Sequence, residues 1–253
     1  DREEGHAPEA RAAALEADLC EIYTDVKGVY TADPRIAPRA KLLEKISYDE
    51  MMELASLGAK VLQSRSVDLA AKHKLQLVVR SSFDEGEGTL ITPDEAGFEA
   101  PAVNGVSCDK KQSKITALGV ADRPGIAASL FGSLAEKSIA VDMIVQNISE
   151  DGKATDLTFT VTTADFERAR EVLESRRKEL SYDRLIADAN VVKISVIGVG
   201  MRSHAGVAQK MFTALAEKGI NIQVISTSEI KVSVLISDEY AELALRALHT
   251  TYG

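Results

Sequence analysis

Apolar positions along this chain follow two spacings that alternate from one end to the other. Ile126, Leu130, Phe131 and Leu134 share one face of a helix, while Leu157, Phe159 and Val161 alternate with polar neighbours as in a strand with one buried face. Upstream, the Ala-rich APEARAAALEAD (7–18) predicts a helix, CEIYT (20–24) a short strand and LQLVVRSS (75–82) a closing strand. Between those strands, Met51, Leu54, Ala55, Val61, Leu62, Val67 and Leu69 suit helices broken near Gly58. Strands and helices in alternation predict an α/β layer with parallel strands. FDEGEGTLITPDEAGFEAP (83–101), rich in Gly, Pro and acidic residues, reads as a connection between domains.

The rest of the chain is an internal repeat. Residues 115–148 read ITALGVADRPGIAASLFGSLAEKSIAVDMIVQNI and residues 194–229 read ISVIGVGMRSHAGVAQKMFTALAEKGINIQVISTSE. With two residues inserted in the second copy's loop, Gly125 matches Gly206, Phe131 matches Phe212, and LAEK recurs at the same place. Each copy reads strand, Gly-containing turn, amphipathic helix, strand, strand, helix. In the first copy the helix DFERAREVLESRRKEL (165–180) is followed by LIADAN (185–190) as a fourth strand. Each unit is therefore a ferredoxin-like βαββαβ sandwich, an antiparallel sheet backed by two helices. The second copy ends on the helix EYAELALRALHTTYG without a fourth strand of its own, and AVNGVSCD (102–109) has the length and β-branched content to cover that edge. The expected division is 1–91 for the α/β layer, 92–112 for the connection and donated strand, and 113–189 and 190–253 for two intertwined repeat units.

Composition narrows the function. At 45% hydrophobic and 27% charged, 253 residues can bury a sizeable core. The net charge is -9, from 30 Lys and Arg against 39 Asp and Glu, and no basic run interleaved with aromatics occurs, so nucleic acid is not an expected partner. No apolar run approaches the roughly 20 residues of a membrane span. DREEGHAPEA is too polar for a signal peptide, so no membrane partner and a cytoplasmic location are expected. Cys20 and Cys108 are far apart, the four histidines are scattered, and no metal site is expected.

The stretch EIYTDVKGVYTADPR, followed by LGAKVL and VVRSSF, and the two repeats with ITALGVADRPG, VDMIVQNIS and GMRSHAGVAQKMFTALAEKGINIQVISTSEIKVSVLI, resembles aspartate kinase. The resemblance runs from about Leu19 to the end and covers the close of the amino-acid kinase domain and a tandem pair of ACT domains. It implies ATP-dependent phosphorylation of the L-aspartate side-chain carboxylate with Mg-ATP, under feedback control by lysine, threonine or both. It also implies that Thr24, Asp25, Tyr30 and Arg35 contact the nucleotide and that Lys60, with Val61 beside it, approaches the phosphates. Asp25 ends a strand, where α/β sheets bind ligands, and a turn at Lys27 and Gly28 lets backbone approach the base or ribose. On spacing alone TDVKGVYTADPR also fits a plain turn-rich connection. The family's Lys-Phe/Tyr-Gly-Gly and Gly-Arg-Gly-Gly-Ser-Asp motifs are absent, and Gln63 and Ser64 replace a usual His-Pro. Phosphoryl transfer depends on positioning and charge neutralisation, so little activity is expected of this chain alone. A non-catalytic regulatory subunit paired with a full-length kinase is the alternative.

A free amino acid is a zwitterion and needs N–H donors for its carboxylate and an acceptor for its ammonium. In ADRPGIA, Pro124 opens a helix and leaves the amides of Gly125, Ile126 and Ala127 to an anion. Asp122 can accept from an ammonium or simply cap the helix, and Gln146 can bond a ligand side chain. By resemblance the effector site also takes in Ala140, Val141 and Asp142. The corresponding candidates of the second copy are Val207, Ala208, Asn221, Ile222, Thr227, Ser228 and Glu229. Ala140 and Ala205 depart from the family's usual Asn and Pro, and His204 by itself reads as an ordinary loop histidine. The paired units and exposed sheet edges predict a homo-oligomer, or a hetero-oligomer with a full-length subunit.

Overall fold

The computed structural model describes residues 7–56, 61–93, 101–149 and 152–253. Lys60, Gly58 and residues 94–100 of the connecting stretch lie outside them. The N-terminal layer contains β1 (Leu19–Thr24), β2 (Lys45–Ser47), β3 (Gln76–Ser81) and β4 (Thr89–Thr92), in the order β1-β3-β4-β2. β1 pairs parallel with β3 and β2 with β4, but β3 and β4 run antiparallel, so the layer is mixed. The difference comes from TLIT, a strand inside the stretch read as a connection. Ile91 is fully buried there. Thr89 Oγ1 accepts from the Val29 N–H (2.9 Å) and donates to the Leu43 carbonyl (2.6 Å). Four residues between Gly88 and Pro93 are too few to show a period.

Three helices cover this layer: α1 (Ala7–Ala14), α2 (Tyr48–Ser56) and α3 (Ser64–His73). Met51, Leu54, Val67 and Ala70 pack against Ile46, Leu77 and Val79. α1 stops short of its predicted end because Glu16 turns into the left-handed region at φ 52.

The repeats form one six-stranded sheet in the order β6-β7-β5-β8-β10-β9. Its strands are β5 (Gly105–Ala121), β6 (Val141–Ile148), β7 (Ala154–Thr162), β8 (Arg184–Ile197), β9 (Val224–Thr227) and β10 (Lys231–Ser237). β5 and β8 lie side by side at the centre. Gly105–Asp109 pair antiparallel with Ile197–Lys193, and Lys114–Leu118 pair with Asp188–Arg184. The first half of β5 thus borders the distal unit and its second half opens the proximal one. AVNGVSCD and ITALGVA are one strand, as are LIADAN and ISVI, with register shifts between Asp109 and Lys114 where the two units join.

Helices α4 (Ile126–Ala135), α5 (Phe166–Ser175) and the short α6 (Arg177–Leu180) cover the proximal half, burying Leu130, Leu134 and Leu173 against Phe159. α7 (Val207–Ala216) and α8 (Ala241–Tyr252) cover the distal half, burying Met211, Leu215 and Leu248 with Val234. Away from the helices, Met143, Val191, Val224 and Leu235 make a small core between the halves, which brings the opposite edge strands β6 and β9 together.

The distal unit is joined to the N-terminal layer. Ile197 belongs to that layer's core, and the Val106 N–H donates to the Thr31 carbonyl (2.8 Å). Lys231 Nζ meets Glu53 Oε2 at 2.7 Å, and Thr31 Oγ1 bonds His249 Nε2 at 2.9 Å.

Candidate functional site

A cavity of about 580 Å³ opens beside the N-terminus of α7. Its lining is Met201 and Arg202 from a 3-10 turn (Val199–Arg202), His204 and Gly206 from the following loop, Val207 and Ala208 from α7, Thr227, Ser228 and Glu229 from the end of β9 and its turn, and Val232 from β10. Gly206 precedes α7 at φ 91, a conformation that glycine adopts without strain, and no side chain caps the helix. The first amides of α7 and the positive end of its dipole therefore face the cavity. Arg202 Nε lies 3.4 Å from Glu229 Oε2, so a cation and a carboxylate stand on the same rim. Met201, Val207 and Val232 supply apolar surface. His204 Nδ1 donates to the Gly200 carbonyl at 2.7 Å, which fixes the ring against the turn. A group with a carboxylate and an ammonium a few ångströms apart matches this distribution of charge.

Five of the sequence candidates meet here: Val207, Ala208, Thr227, Ser228 and Glu229. Met201, Arg202, His204, Gly206 and Val232 line the cavity without having been singled out as site residues. For all but Val232 the signal was available in GMRSHAG, where a cation and a histidine precede the glycine before the helix. Asn221 is exposed outside the cavity, and Ile222 lines a different one of about 400 Å³ with Lys114, Thr116, Thr158 and Gln223.

The first-copy candidates are arranged differently. Asp122, Pro124, Gly125 and Ala140 are exposed, and Ala127 is half-buried. The Ile126 amide, expected to serve an anion, donates instead to the Arg123 carbonyl (3.2 Å), because the chain makes a turn before α4 begins. α4 has no side-chain cap, and the Asp122 N–H donates to the Lys153 carbonyl. Val141 and Gln146 lie on β6 opposite Val161 and Leu157. Asp142 pairs with Lys193 at 2.5 Å. Burial raises the Asp142 carboxyl, but the Lys193 hydrogen bond and charge outweigh it and hold the group below its usual range.

In the N-terminal turn, Thr24 ends β1 and donates to Asp25 Oδ1 (3.1 Å), and Tyr30 bridges to Leu42. Arg35 is already occupied: its Nε and Nη2 donate to the two Asp33 oxygens at 3.0 and 2.7 Å, and this bonding holds the Asp33 carboxyl low. Gly28 has a neighbour from β4 close to its backbone. It is buried, and a Cβ there would stand 2.5 Å from Thr89 Oγ1, so the glycine lets β4 approach closely. Val61 packs against the layer's core. Among the described residues no group of three His, Cys, Asp or Glu gathers as a metal site, and no helix is long and apolar enough to cross a membrane.

Comparison with known proteins fits this architecture. A model of the ACT domain matches residues 115–176 and 194–252, and a model of the amino acid kinase family matches residues 7–81. An aspartate kinase of Pseudomonas putida is 54% identical over 244 residues, 96% of this chain; the chain spans 59% of that protein's length. Aspartokinase III of E. coli, solved with lysine and aspartate, is 27% identical with a TM-score of 0.77 over 98% of this chain and 55% of that one. The regulatory subunit of aspartate kinase from Thermus thermophilus is 42% identical with a TM-score of 0.57, covering 60% of this chain and 99% of that one. With part of a kinase layer joined to an intertwined pair of ACT units, with 54% identity to an aspartate kinase over 96% of its length, and with 42% identity to a regulatory subunit that it covers almost completely, the chain belongs to the aspartate kinase family.

Proposed function

We propose that this chain carries the feedback-regulatory part of an ATP-dependent aspartate kinase and binds a free amino acid, lysine or threonine, beside α7. The observation that carries this reading is the cavity that sets Arg202 and the α7 amides against Glu229. The effector carboxylate meets the guanidinium and the helix N-terminus; its ammonium meets Glu229. Lysine in the E. coli relative supports that class of ligand. Calorimetric titration with lysine, threonine and the two together tests it. Saturable binding is expected, weakened about tenfold or more by Arg202→Leu, since a charged hydrogen bond contributes about 1.5–3 kcal/mol. No binding by the wild-type chain overturns the reading.

For catalysis, Thr24 and Asp25 at the carboxyl end of β1 suit the hydroxyls of a nucleotide, and Tyr30, bridged to Leu42 in the following turn, is the further candidate. Bound Mg-ATP supplies the phosphoryl group that the L-aspartate carboxylate receives. Arg35 donates two hydrogen bonds to its neighbour Asp33 and would exchange one of them for a phosphate oxygen, as Arg202 would exchange Glu229 or Asp49 for the effector carboxylate. A second reading, a regulatory subunit without catalysis of its own, is favoured by the Thermus thermophilus match, 99% of which is covered here. Aspartyl phosphate formed by this chain alone would exclude it. Both readings include assembly through the sheet edges, where Ile144, Ile148 and Ile225 are exposed on β6 and β9. Sedimentation should therefore give a species of at least two chains.

A further inference from the structure

Glu50 occupies the third position of α2, in the run Ser47-Tyr48-Asp49-Glu50. Its N–H donates to Ser47 Oγ (3.2 Å) and its Oε2 accepts from the Ser47 N–H (3.1 Å), the reciprocal capping box of a helix N-terminus. The Ser47 hydroxyl donates to the same oxygen at 2.9 Å. A capping glutamate on a surface helix leaves its second oxygen to water. Here the residue is 1% exposed, and Oε1 accepts from Asn104 Nδ2 and from the Val199 N–H, both at 2.8 Å. Asn104 immediately precedes β5, and Val199 opens the turn that carries Met201 and Arg202 into the cavity beside α7.

One buried carboxylate thus holds the start of α2 with one oxygen and the cavity turn of the distal unit with the other. The neighbouring Asp49 stands 3.7 Å from Arg202, on the same side of the turn. The line continues inward: β2, which ends at Ser47, pairs with β4, and Thr89 of β4 holds Val29 and Leu43 on either side of the N-terminal turn. All the donors to Glu50 point at an acceptor-only group. Glutamine has nearly the same shape but must present an NH₂ to the donors of one side, so it breaks one half of the bracket and spares the other.

We infer that Glu50 is the residue that transmits the state of the α7 cavity to the kinase layer, by fixing the Val199–Arg202 turn to the first turn of α2. The inference rests on the cavity being the effector site, and its test separates the two. Amide exchange read by mass spectrometry on the 253-residue chain compares wild type with Glu50→Gln. Without ligand, exchange at 45–51, at 199–203, or at both should rise about tenfold, with 154–162 in the proximal unit unchanged. Asn104→Ala, which keeps the carboxylate and removes one donor, should give a smaller rise confined to 199–203. With lysine or threonine bound, protection at 45–51 should change in the wild type. In Glu50→Gln the amino acid should still saturate the chain, with affinity lowered by about tenfold at most, in proportion to the freed turn, while that distant change disappears. Ligand-free exchange identical to wild type in both variants, or an unaltered distant change in Glu50→Gln, overturns the inference. If neither amino acid binds the wild type, the effector reading fails, and the ligand-free comparison still decides whether Glu50 is the bracket.

Discussion

Lys193 sits at the centre of β8 with 5% of its surface exposed, and its ammonium is balanced by Asp142 from β6 at 2.5 Å. The two residues are 51 positions apart, and only the meeting of the two sheet halves joins them. Removing the carboxylate strands a buried cation, whereas removing the lysine leaves an aspartate that is already half in water. Asp142→Asn is therefore expected to destabilise the chain by about 1–2 kcal/mol, less than for a fully buried pair because water screens the aspartate. Lys193→Met should be close to neutral. Urea denaturation of both variants decides it. The pair also predicts a pH dependence. The Asp142 carboxyl lies below its ordinary value of 3.8 in the folded chain, so its contribution is present above that value and lost as pH falls through the lowered one. Asp142→Asn should flatten the acid limb of the stability curve. Resemblance alone pointed to Asp142 as an effector contact, and a single sequence has no means of showing that a lysine of the other repeat faces it.

At the scale of elements, the legible features were those whose causes are local. Gly125 and Gly206 align in the repeat and stand before α4 and α7 at φ 90 and φ 91. Nothing lies within 4 Å of a Cβ built at either position, so an alanine would meet only backbone strain. Gly125→Ala and Gly206→Ala are each expected to lower stability by about 1–2 kcal/mol, to the same extent in urea. Only Gly206 lines the cavity, so only its substitution should weaken amino-acid binding in calorimetry. Equal losses of affinity would place the effector elsewhere. β4 escaped notice because its hydrogen bonds run to Val29 and Leu43, far away in sequence, while its flanking glycine and proline carry the signs of a loop. SYDE holds a visible capping box, but its reach to Val199 does not follow from any local pattern.

For the molecule as a whole, β5 and β8 each belong to both repeat units, so neither unit is complete without the other. A chain beginning at Lys114 retains every residue of the second repeat yet loses the strand paired with Lys193–Ile197. Its α7 and α8 are expected to exchange their amides at rates near those of an unfolded chain, while the 253-residue chain protects them. Protection of α8 in the shortened chain would show that the distal unit stands without β5. The same unit holds the N-terminal turn through His249 and Thr31. Burial, then Lys41 and Arg39, depress the His249 ring below its ordinary 6.5. The neutral ring is thus the folded form. Its contribution is complete above pH 6.5 and is lost as pH falls through the lowered value, so α8 should loosen from the turn on mild acidification, and His249→Gln should remove that dependence.

The sequence by itself determined the repeat, the glycine-containing turns that match at Gly125 and Gly206, the need for a strand from 102–109 at the distal edge, and the family, whereas it set the opening of α4 at Pro124, two residues before the helix begins. Periodicity, glycine conformation and unpaired sheet edges act over a few residues or leave a countable gap. Only the tertiary structure decided that the units share one sheet, that Arg202 and His204 join Glu229 around a cavity, and that Asp142 and Glu50 are tied to groups from other elements. Those pairings join side chains remote in sequence, and a charge or hydrogen bond selects its partner by distance in space, which no spacing along the chain records.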